Sequence, residues 1–498
     1  MFKVLFVFPN AVMQNPPPMS IAIFYPLVKA IAGVEIELFD TTSYNMEEKT
    51  SDQTKENNLQ CKPFSLDERG IKLRTSNVFE DFAGTVKEYN PDLIAVSCNE
   101  ITVSLALELM KQVKDSKALK LFGGVFPTFA AEETLKNDFI DIACIGEGEE
   151  FIVELINKLK AGESIKDIKN LAYMEAGKLV VNPLRQPIDL DNLPIPDFDI
   201  FEENRFYRPM DGKVWKLFPI ETSRGCLYSC SFCNSPYQRK LYEKYGFKNY
   251  FREKSVDRIF KEIENVVQKY KAEYIYFLSD TLLALKNDEF EQFCTMYEKF
   301  KLPFWCQNRP EMITMERAKR LKEIGCHRMS IGVEHGNEDF RKKVLRKPTK
   351  NLMIVKAFEI LAECGIPATI NNIIGFPYET RELVWDTIKL NRLVKFDTSN
   401  ANAFTPFRGT ELYDLCIKEG YLKEGSQVSC ITKGSSVLNM PQFSSEDISG
   451  LIKTFSLYAR MPEIYFDKIA LAEKNTDEAN AIFSELSGIY TNLFFKKE

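Results

Sequence analysis

The stretch Ser223–Pro236, SRGCLYSCSFCNSP, contains three cysteines with the spacing C-x-x-x-C-x-x-C. Cys226, Cys230 and Cys233 follow an apolar run typical of a buried strand, so their thiolates lie on one loop and can converge on one metal centre. Iron–sulfur clusters take cysteine ligands, usually four. A structural zinc site also needs four ligands, and both histidines of the chain are distant in sequence. The motif therefore favours an iron–sulfur cluster with three protein ligands and one open iron.

A series of βα units extends from this loop towards the C-terminus. Its strand candidates are Leu217–Thr222, Glu273–Leu278, Phe304–Gln307, Arg328–Val333, Thr369–Ile374 and Asn400–Phe404, with helices such as Val256–Tyr270 between them. Six consecutive βα units predict a partial (β/α)6 TIM-type barrel over residues 215–440, in which the loops after the strands build the active site. Residues 441–498 read as a helical C-terminal segment, because Ser444-Ser445-Glu446-Asp447 resembles a helix cap.

Apolar runs and helical patterns also alternate in residues 1–161. The strand candidates here are Lys3–Phe8, Val34–Phe39, Leu93–Ser97, Leu119–Phe122 and Ile140–Ile145. Five such strands predict an α/β domain of the flavodoxin-like, doubly wound type, which binds ligands beyond the carboxyl ends of its strands. The polar segment Met46–Ser76 is interpreted as an inserted or mobile loop. Residues 162–214 are interpreted as a linker with a small β element.

The composition sets limits on function. The 498 residues are 45% hydrophobic and 27% charged, with a formal net charge of −6, so no large basic surface for nucleic acid is expected. No run reaches the 18 or so apolar residues of a transmembrane helix, and MFKVLFVFPN reads as a first strand rather than a signal peptide. Scattered cysteines favour a reducing compartment, so we expect a cytoplasmic protein.

With Arg224-Gly225 before its first cysteine and Phe232 before its last, the cysteine motif resembles the signature of radical S-adenosylmethionine (SAM) enzymes. The resemblance implies a 4Fe-4S cluster held by the three cysteines, with the amino and carboxylate groups of SAM on the open iron. It also implies reductive cleavage of SAM to a 5′-deoxyadenosyl radical, with electrons from a flavodoxin- or ferredoxin-type donor.

Features at the ends of later strands match the places where this family contacts SAM. Ser279-Asp280 follows the second strand candidate, Arg309 the third, and the segments GVEHG (332–336) and GFPYE (375–379) the fourth and fifth. His335 within GVEHG is interpreted as a loop histidine bonded to backbone, with a catalytic base as the alternative. The resemblance therefore implies that the SAM contacts are Phe232, Ser279, Asp280, Arg309, Glu334 and Gly375.

The segments Pro16–Leu27, Phe122–Thr128 and Ile145–Glu149 resemble the cobalamin-binding domain that precedes many radical SAM cores. The residues implied for cobalamin are Asn10, Ser97, Gly123, Gly124, Gly146, Glu147 and Gly148. No G-x-G-x-x-G follows the first strand, which disfavours a dinucleotide domain. Since no histidine precedes His327, cobalamin would be bound without a histidine ligand from this domain. A degenerate domain retained for packing or substrate binding is the alternative.

Together these features predict a class B radical SAM methyltransferase-like enzyme. By resemblance, it would methylate an unactivated carbon of a small-molecule, peptide or lipid substrate through methylcobalamin; no catalytic residue is identified. A rearrangement, cyclisation or ring contraction with the same cofactors is the alternative. A methylthio-transferring enzyme is disfavoured, because Cys61, Cys98 and Cys144 are too far apart for a second cluster. A non-catalytic iron–sulfur or cobalamin carrier is the remaining possibility.

Overall fold

Two seven-stranded sheets organise the chain. The computed structural model describes residues 1–10, 15–46, 51–279, 281–426 and 435–496. The first sheet has the order β2-β1-β3-β4-β5-β6-β7. Its strands are β1 (Phe2–Phe8), β2 (Val34–Asp40), β3 (Leu93–Ser97), β4 (Leu119–Gly123), β5 (Ile142–Cys144), β6 (Leu171–Glu175) and β7 (Lys178–Val181).

The first five strands of this sheet are parallel, which confirms the predicted flavodoxin-like order. Four consecutive residues of β1, Val4–Val7, are at most 1% exposed because helices cover both faces of the sheet. The hairpin β6–β7, which is the predicted small β element, extends the sheet in antiparallel fashion. The helices are α1 (Met19–Lys29), α2 (Ser51–Asn57), α3 (Val78–Tyr89), α4 (Val103–Gln112), α5 (Val125–Phe129), α6 (Ala131–Leu135) and α7 (Glu149–Ala161).

The second sheet has the order β16-β15-β14-β13-β12-β9-β8. Its strands are β8 (Tyr207–Met210), β9 (Lys213–Glu221), β12 (Tyr274–Leu278), β13 (Phe304–Asn308), β14 (Cys326–Glu334), β15 (Ala368–Ile374) and β16 (Thr398–Ala403). Six of them are parallel and form the predicted partial barrel, whereas β8 adds an antiparallel edge that was not predicted. A separate short pair, β10 (Ser223–Arg224) and β11 (Arg252–Glu253), begins the cysteine loop.

Helices pack around the outside of the partial barrel and continue to the C-terminus. They are α8 (Ser235–Lys244), α9 (Val256–Tyr270), α10 (Asn287–Tyr297), α11 (Met315–Glu323), α12 (Glu338–Lys343), α13 (Asn351–Glu363), α14 (Arg381–Leu393), α15 (Glu411–Lys418), α16 (Ser445–Arg460), α17 (Phe466–Ala472) and α18 (Asp477–Phe494). The predicted cap of α16 is present, since Ser444 Oγ accepts the Asp447 N–H at 3.0 Å. None of the described helices is long and apolar enough to cross a membrane.

The segment Met46–Ser76, predicted to be an inserted or mobile loop, is inserted between β2 and α3, and its described part is folded. It contains α2 and packs against the gap between β8 and β16. The Gln60 amide donates to a backbone carbonyl of β16 at 2.9 Å. Lys62 Nζ lies 2.7 Å from Asp211, beside β9, and 3.3 Å from Asp397, before β16. The segment therefore joins the two edges of the open barrel. Residues 47–50 lie outside the described part.

Candidate functional site: a cysteine loop beside a glycine-lined cavity

The cysteine loop leaves the carboxyl end of β9 with a conformation that requires glycine. Gly225 has φ +86°, and a Cβ there would lie 3.0 Å from the backbone oxygen of Tyr250. The loop is then held by its backbone, because the Ser231 N–H donates to the Leu345 carbonyl at 3.1 Å. Cys230 is 8% exposed. Cys226 and Cys233 are half-buried, so the loop offers its thiols at the edge of the barrel.

The ligand set of the loop favours a cluster over a single zinc ion. The loop carries three cysteines within eight residues, whereas a structural zinc site takes four ligands that meet at one tetrahedral ion. Within the described residues, no group of three or more His, Cys, Asp or Glu side chains is placed to hold one metal ion. Iron–sulfur clusters take cysteine ligands, so the chemistry of the loop suits a cluster with three of them.

Arg309 lies against this loop. Its Nη1 atom is 3.8 Å from Cys230 Sγ, and its guanidinium stacks 3.5 Å from the centre of the Tyr228 ring. Glu311 accepts from its Nε at 2.6 Å and so fixes the orientation of the guanidinium. The structure thus places Arg309, which was predicted to contact SAM, at the sulfur of Cys230, a predicted cluster ligand. A positive charge here stabilises the negative charge of a thiolate.

Among the other predicted SAM contacts, Phe232 lies on the loop itself, and Ser279 and Gly375 follow the ends of β12 and β15. The Phe232 ring meets the Phe376 ring, which follows Gly375, at 5.8 Å. Ser279 is 9% exposed, and its hydroxyl has no hydrogen-bond partner among the described residues, so it is available to a ligand. Asp280 lies outside the described residues.

Glu334 ends β14 in a strained backbone conformation. Its φ is +70°, unusual for a residue with a side chain. Lys347 Nζ donates to the Glu334 carboxylate at 2.8 Å and to the Gly332 carbonyl at 2.7 Å. Such strain persists only where the surroundings hold the residue, which is common at functional sites. Lys347 is therefore the group that fixes the predicted SAM carboxylate, and it was not foreseen from the sequence.

His335 and Glu379 connect the ends of β14 and β15. Both are completely buried, and His335 Nε2 lies 3.0 Å from Glu379 Oε1. The other carboxylate oxygen of Glu379 accepts the Gly375 N–H at 2.5 Å and the next backbone N–H at 3.0 Å. His335 Nδ1 accepts the Asn337 N–H at 3.0 Å, which leaves Nε2 as the ring nitrogen beside Glu379. The backbone bond interpreted for His335 is present, but its partner Glu379 was missed.

A cavity of about 280 Å³ lies at the carboxyl edge of the first sheet, where that sheet meets the cysteine loop. Six of the seven residues predicted for cobalamin line it, and none of its lining residues is histidine. The residues that line the cavity include Met19, Phe24, Ser97, Leu121, Gly123, Gly124, Cys144, Gly146, Glu147, Gly148, Glu149, Phe151, Glu221 and Arg224.

Asn10 does not line this cavity, contrary to the prediction. It is 1% exposed, and its side-chain amide donates to Thr42 Oγ1 at 2.9 Å. Its backbone N–H donates to Thr41 Oγ1 at 2.7 Å. Asn10 therefore ties the end of β1 to the segment after β2. Its position after a strand could not distinguish this structural role from ligand binding.

The carboxylates beside the cavity are neutralised by arginines of the second domain. Arg224 lies 2.6 Å from Glu149, 3.4 Å from Glu147 and 2.9 Å from Glu221. Arg252 lies 2.5 Å from Glu147. Burial by itself would raise the pKa of Glu147, but Arg252 and Arg224 outweigh it and hold that pKa below its usual range. Arg224 is thus shared between the cavity and the cysteine loop.

Gly123 provides a test of whether a flat ligand fits this cavity. A Cβ at Gly123 would be 3.9 Å from its nearest protein neighbours, and its backbone is not left-handed. Neither backbone strain nor crowding by other protein atoms requires glycine at this position. The absence of a side chain instead leaves open space above the backbone of Gly123, inside the cavity. We expect Gly123→Leu to fill this space and to lower cobalamin affinity at least about tenfold, or 1.4 kcal/mol. Titration with hydroxocobalamin, followed by visible absorption, measures this loss.

The control for Gly123→Leu is Gly84→Leu, on the outer helix α3, where a Cβ has nothing within 4 Å. Equal cobalamin affinity of the Gly123 variant and the parent protein, at unchanged thermal stability, would show that the ligand does not lie over Gly123.

Comparisons with known proteins agree with this arrangement. The family model of the radical SAM superfamily matches residues 220–390, and that of the B12 binding domain matches residues 65–156. An uncharacterised methyltransferase of Pyrococcus horikoshii is 29% identical over 77% of this chain and 82% of its own length. The anaerobic magnesium-protoporphyrin IX monomethyl ester cyclase of Rubrivivax gelatinosus is 27% identical over 82% of this chain and 69% of its own.

A solved structure has the same fold. It is OxsB, a cobalamin-dependent SAM radical enzyme with aqua-cobalamin and SAM bound, at 15% identity and a TM-score of 0.66. The alignment covers 99% of this chain and 71% of OxsB. The two matched family models and the shared fold lead to one conclusion: the chain contains a radical SAM domain that is preceded by a B12-binding domain.

Proposed function

We propose that the chain is a cobalamin-dependent radical SAM methyltransferase acting on an unactivated carbon of a small-molecule, peptide or lipid substrate. When bound, the 4Fe-4S cluster, SAM and cobalamin supply reductive cleavage of SAM and the transfer of a methyl group. Cys226, Cys230 and Cys233 would hold the cluster, and Ser279, Glu334 and Gly375 would position SAM. The protein's own part is to hold these groups at fixed separations and to exclude water.

The observation that carries the proposal is the position of Arg224. It lies two residues before Cys226, and it forms ion pairs with Glu147 and Glu149 in the wall of the cavity. Tyr242, on the helix that follows the cysteines, reaches the same wall, because its hydroxyl accepts the Glu147 N–H at 2.9 Å. The cysteine loop and the cavity are therefore adjacent and held to each other by buried polar contacts, which supports a reaction that uses both proposed cofactors on one substrate.

The second candidate is a cyclisation with the same cofactors, favoured by the similarity to the magnesium-protoporphyrin cyclase. Reduced protein carrying cluster and cobalamin, incubated anaerobically with methyl-labelled SAM, separates these possibilities. We expect it to release 5′-deoxyadenosine and S-adenosylhomocysteine, both dependent on the reductant. Deoxyadenosine without S-adenosylhomocysteine would favour cyclisation or rearrangement over methylation. Absence of both would contradict the proposal and leave a cofactor carrier.

The proposed function also requires an electron donor for the cluster and a reducing compartment of the cell. Leu227, beside Cys226, is 63% exposed, and Arg239 donates to the carbonyls of Cys226 and Leu227 at 3.1 and 3.2 Å. An exposed apolar residue next to a cluster ligand, flanked by a cation, supports docking of an acidic flavodoxin- or ferredoxin-type donor. An oxygen-sensitive cluster and reduced thiols are consistent with the cytoplasm.

A further inference from the structure

The inner face of the partial barrel is lined by amide side chains. Neighbours in register on parallel strands point to the same face of a sheet, and Gly332, Asn371 and Asn400 are in register. Ile373 and Asn402 form the next such pair. The residues that alternate with them lie under the outer helices: Ile370 and Ile374 are fully buried and Ala401 is 1% exposed. Asn371, Asn400 and Asn402 therefore point into the barrel.

Gln307 on β13 belongs to this inner set. It is in register with Ser330, whereas its neighbours Cys306 and Asn308 are 0% and 2% exposed under the outer helices. Gln307, Asn371, Asn400 and Asn402 are all partly exposed. Inward positions of TIM barrels are usually filled by bulky branched residues. Amides that stay accessible at these positions indicate a hollow upper barrel that a ligand can enter.

Most of the inner amide side chains keep hydrogen-bonding groups that no other described residue occupies. Asn372, on the outer face, is fully buried and exchanges two hydrogen bonds with Asn391 of α14, at 3.1 and 3.0 Å, so its role is structural. In contrast, the Gln307 and Asn402 amides have no side-chain hydrogen bond to any described residue. The one bond within the inner set joins Asn400 Nδ2 to Asn371 Oδ1 at 3.0 Å. Most donors and acceptors on this face remain available to a ligand.

Charges along this face occur in opposite pairs. Below the amides, Arg328 forms an ion pair with Asp397 at 2.6 Å and another with Asp211. Above them, Glu334 is paired with Lys347 at 2.8 Å. The described inner face therefore has no uncompensated cation for a phosphate or carboxylate. A charged group entering here would lose hydration without gaining an ion pair.

An aromatic pair forms part of the wall. The Tyr276 and Trp305 rings stack with their centres 4.1 Å apart. The indole N–H of Trp305 donates to Ser330 Oγ at 3.0 Å, which fixes the ring. Tyr276 is partly exposed on this face. A flat apolar surface beside amide donors and acceptors suits a planar, uncharged, hydrogen-bonding group.

We propose that the barrel interior binds an uncharged, amide-like part of the substrate, such as a carboxamide, lactam or peptide group. Gln307, Asn371, Asn400 and Asn402 recognise both its donor and its acceptor. This inference rests on the proposed function, because it takes the barrel interior as the substrate site. It narrows the substrate from small molecule, peptide or lipid to one that presents a neutral amide, with any phosphate or carboxylate kept outside the barrel.

Binding of matched neutral and anionic probes to the anaerobic protein, loaded with cluster and cobalamin, tests the inference. The pairs are benzamide with benzoate, and N-acetyltryptophanamide with N-acetyltryptophan, followed by saturation-transfer NMR. We expect each amide to bind at least about tenfold more tightly than its carboxylate. We expect Gln307→Glu and Asn402→Asp to lose most of that affinity, because their carboxylates lack the amide donor. Neither residue has a side-chain partner in the described fold, so folding should be retained.

The control is Asn157→Asp on the exposed face of α7, which should leave probe binding unchanged. Three outcomes overturn the inference: carboxylates that bind as tightly as amides, amides that do not bind at millimolar concentration, or variants that bind like the parent. Release of 5′-deoxyadenosine from SAM needs no probe, so a failure of the proposed function is seen separately from a failure of this inference.

Discussion

Replacing Cys226, Cys230 or Cys233 with alanine is expected to abolish cluster binding and SAM cleavage while leaving the fold intact. Each change removes one of the three thiolates that we propose hold the cluster. Changes to groups around a metal site typically cost about 10–100-fold in affinity or activity, so loss of a direct ligand should exceed that range. Iron and sulfide content, the visible spectrum, and 5′-deoxyadenosine release measure the loss.

The fold should survive because the loop is held by contacts that do not involve the thiols. The Ser231 hydroxyl donates to the Val344 carbonyl at 2.6 Å, and the Asn234 amide donates to the Arg408 carbonyl at 2.9 Å. Far-ultraviolet circular dichroism of each variant should match the parent. The matched control is Cys364→Ala, since that half-buried thiol lies against Met315 at 3.6 Å, away from the loop. A variant at Cys226, Cys230 or Cys233 that retained full SAM cleavage would refute its assignment as a ligand.

The sequence was most informative where structure is set by local patterns. The predicted helix Val256–Tyr270 and strand Leu93–Ser97 have the observed bounds, because an amphipathic period and an apolar run determine them. The strand Tyr207–Met210 was missed, since it contains Arg208 and Pro209, which disfavour a strand. It forms by antiparallel pairing with β9, and Pro209 is tolerated because the strand lies at the sheet edge.

The residues of the functional site also fall into two groups, those that a local pattern predicts and those that only the fold brings together. The cysteines could be predicted because three ligands lie within eight residues, and their spacing alone indicates the chemistry. The pairing of Arg224 with Glu149, and of His335 with Glu379, joins residues about 75 and 44 positions apart, and no local pattern encodes such contacts. The local sequence around Glu147 and Glu149 likewise does not show that Arg224 and Arg252 of the second domain neutralise these carboxylates.

Replacing Arg408 with methionine is expected to destabilise the protein by about 3–5 kcal/mol, because it leaves a buried carboxylate without its partner. Arg408 follows β16 and is 4% exposed. It contacts Glu133 at 2.7 and 2.8 Å and forms an ion pair with Glu100, whose side chain is also 4% exposed. Both carboxylates belong to the first domain. The guanidinium therefore joins the two domains at the end of β16.

The loss of folding free energy in Arg408→Met should become larger as pH rises. Burial raises the pKa of Glu100, and Arg408 opposes that rise. Without Arg408, the folded state holds the Glu100 proton more tightly than the unfolded state, so the free energy of unfolding falls as pH rises above the unfolded pKa. Arg408→Met should thus be closer to the parent in urea unfolding at pH 5 than at pH 8. Adding Glu100→Gln should restore stability at pH 8, because it removes the buried charge.

Arg346→Met is the matched surface control. Arg346 is paired with Glu411 at 2.6 Å, but both side chains are roughly half exposed, and such pairs contribute about 0–1 kcal/mol. A similarly small loss for Arg408→Met, or a loss independent of pH, would mean that water reaches Glu100 and that this ion pair does not hold the domains together. The ion pairs of Arg224 with Glu147 and Glu149, and of Arg252 with Glu147, would still join the domains beside the cysteine loop.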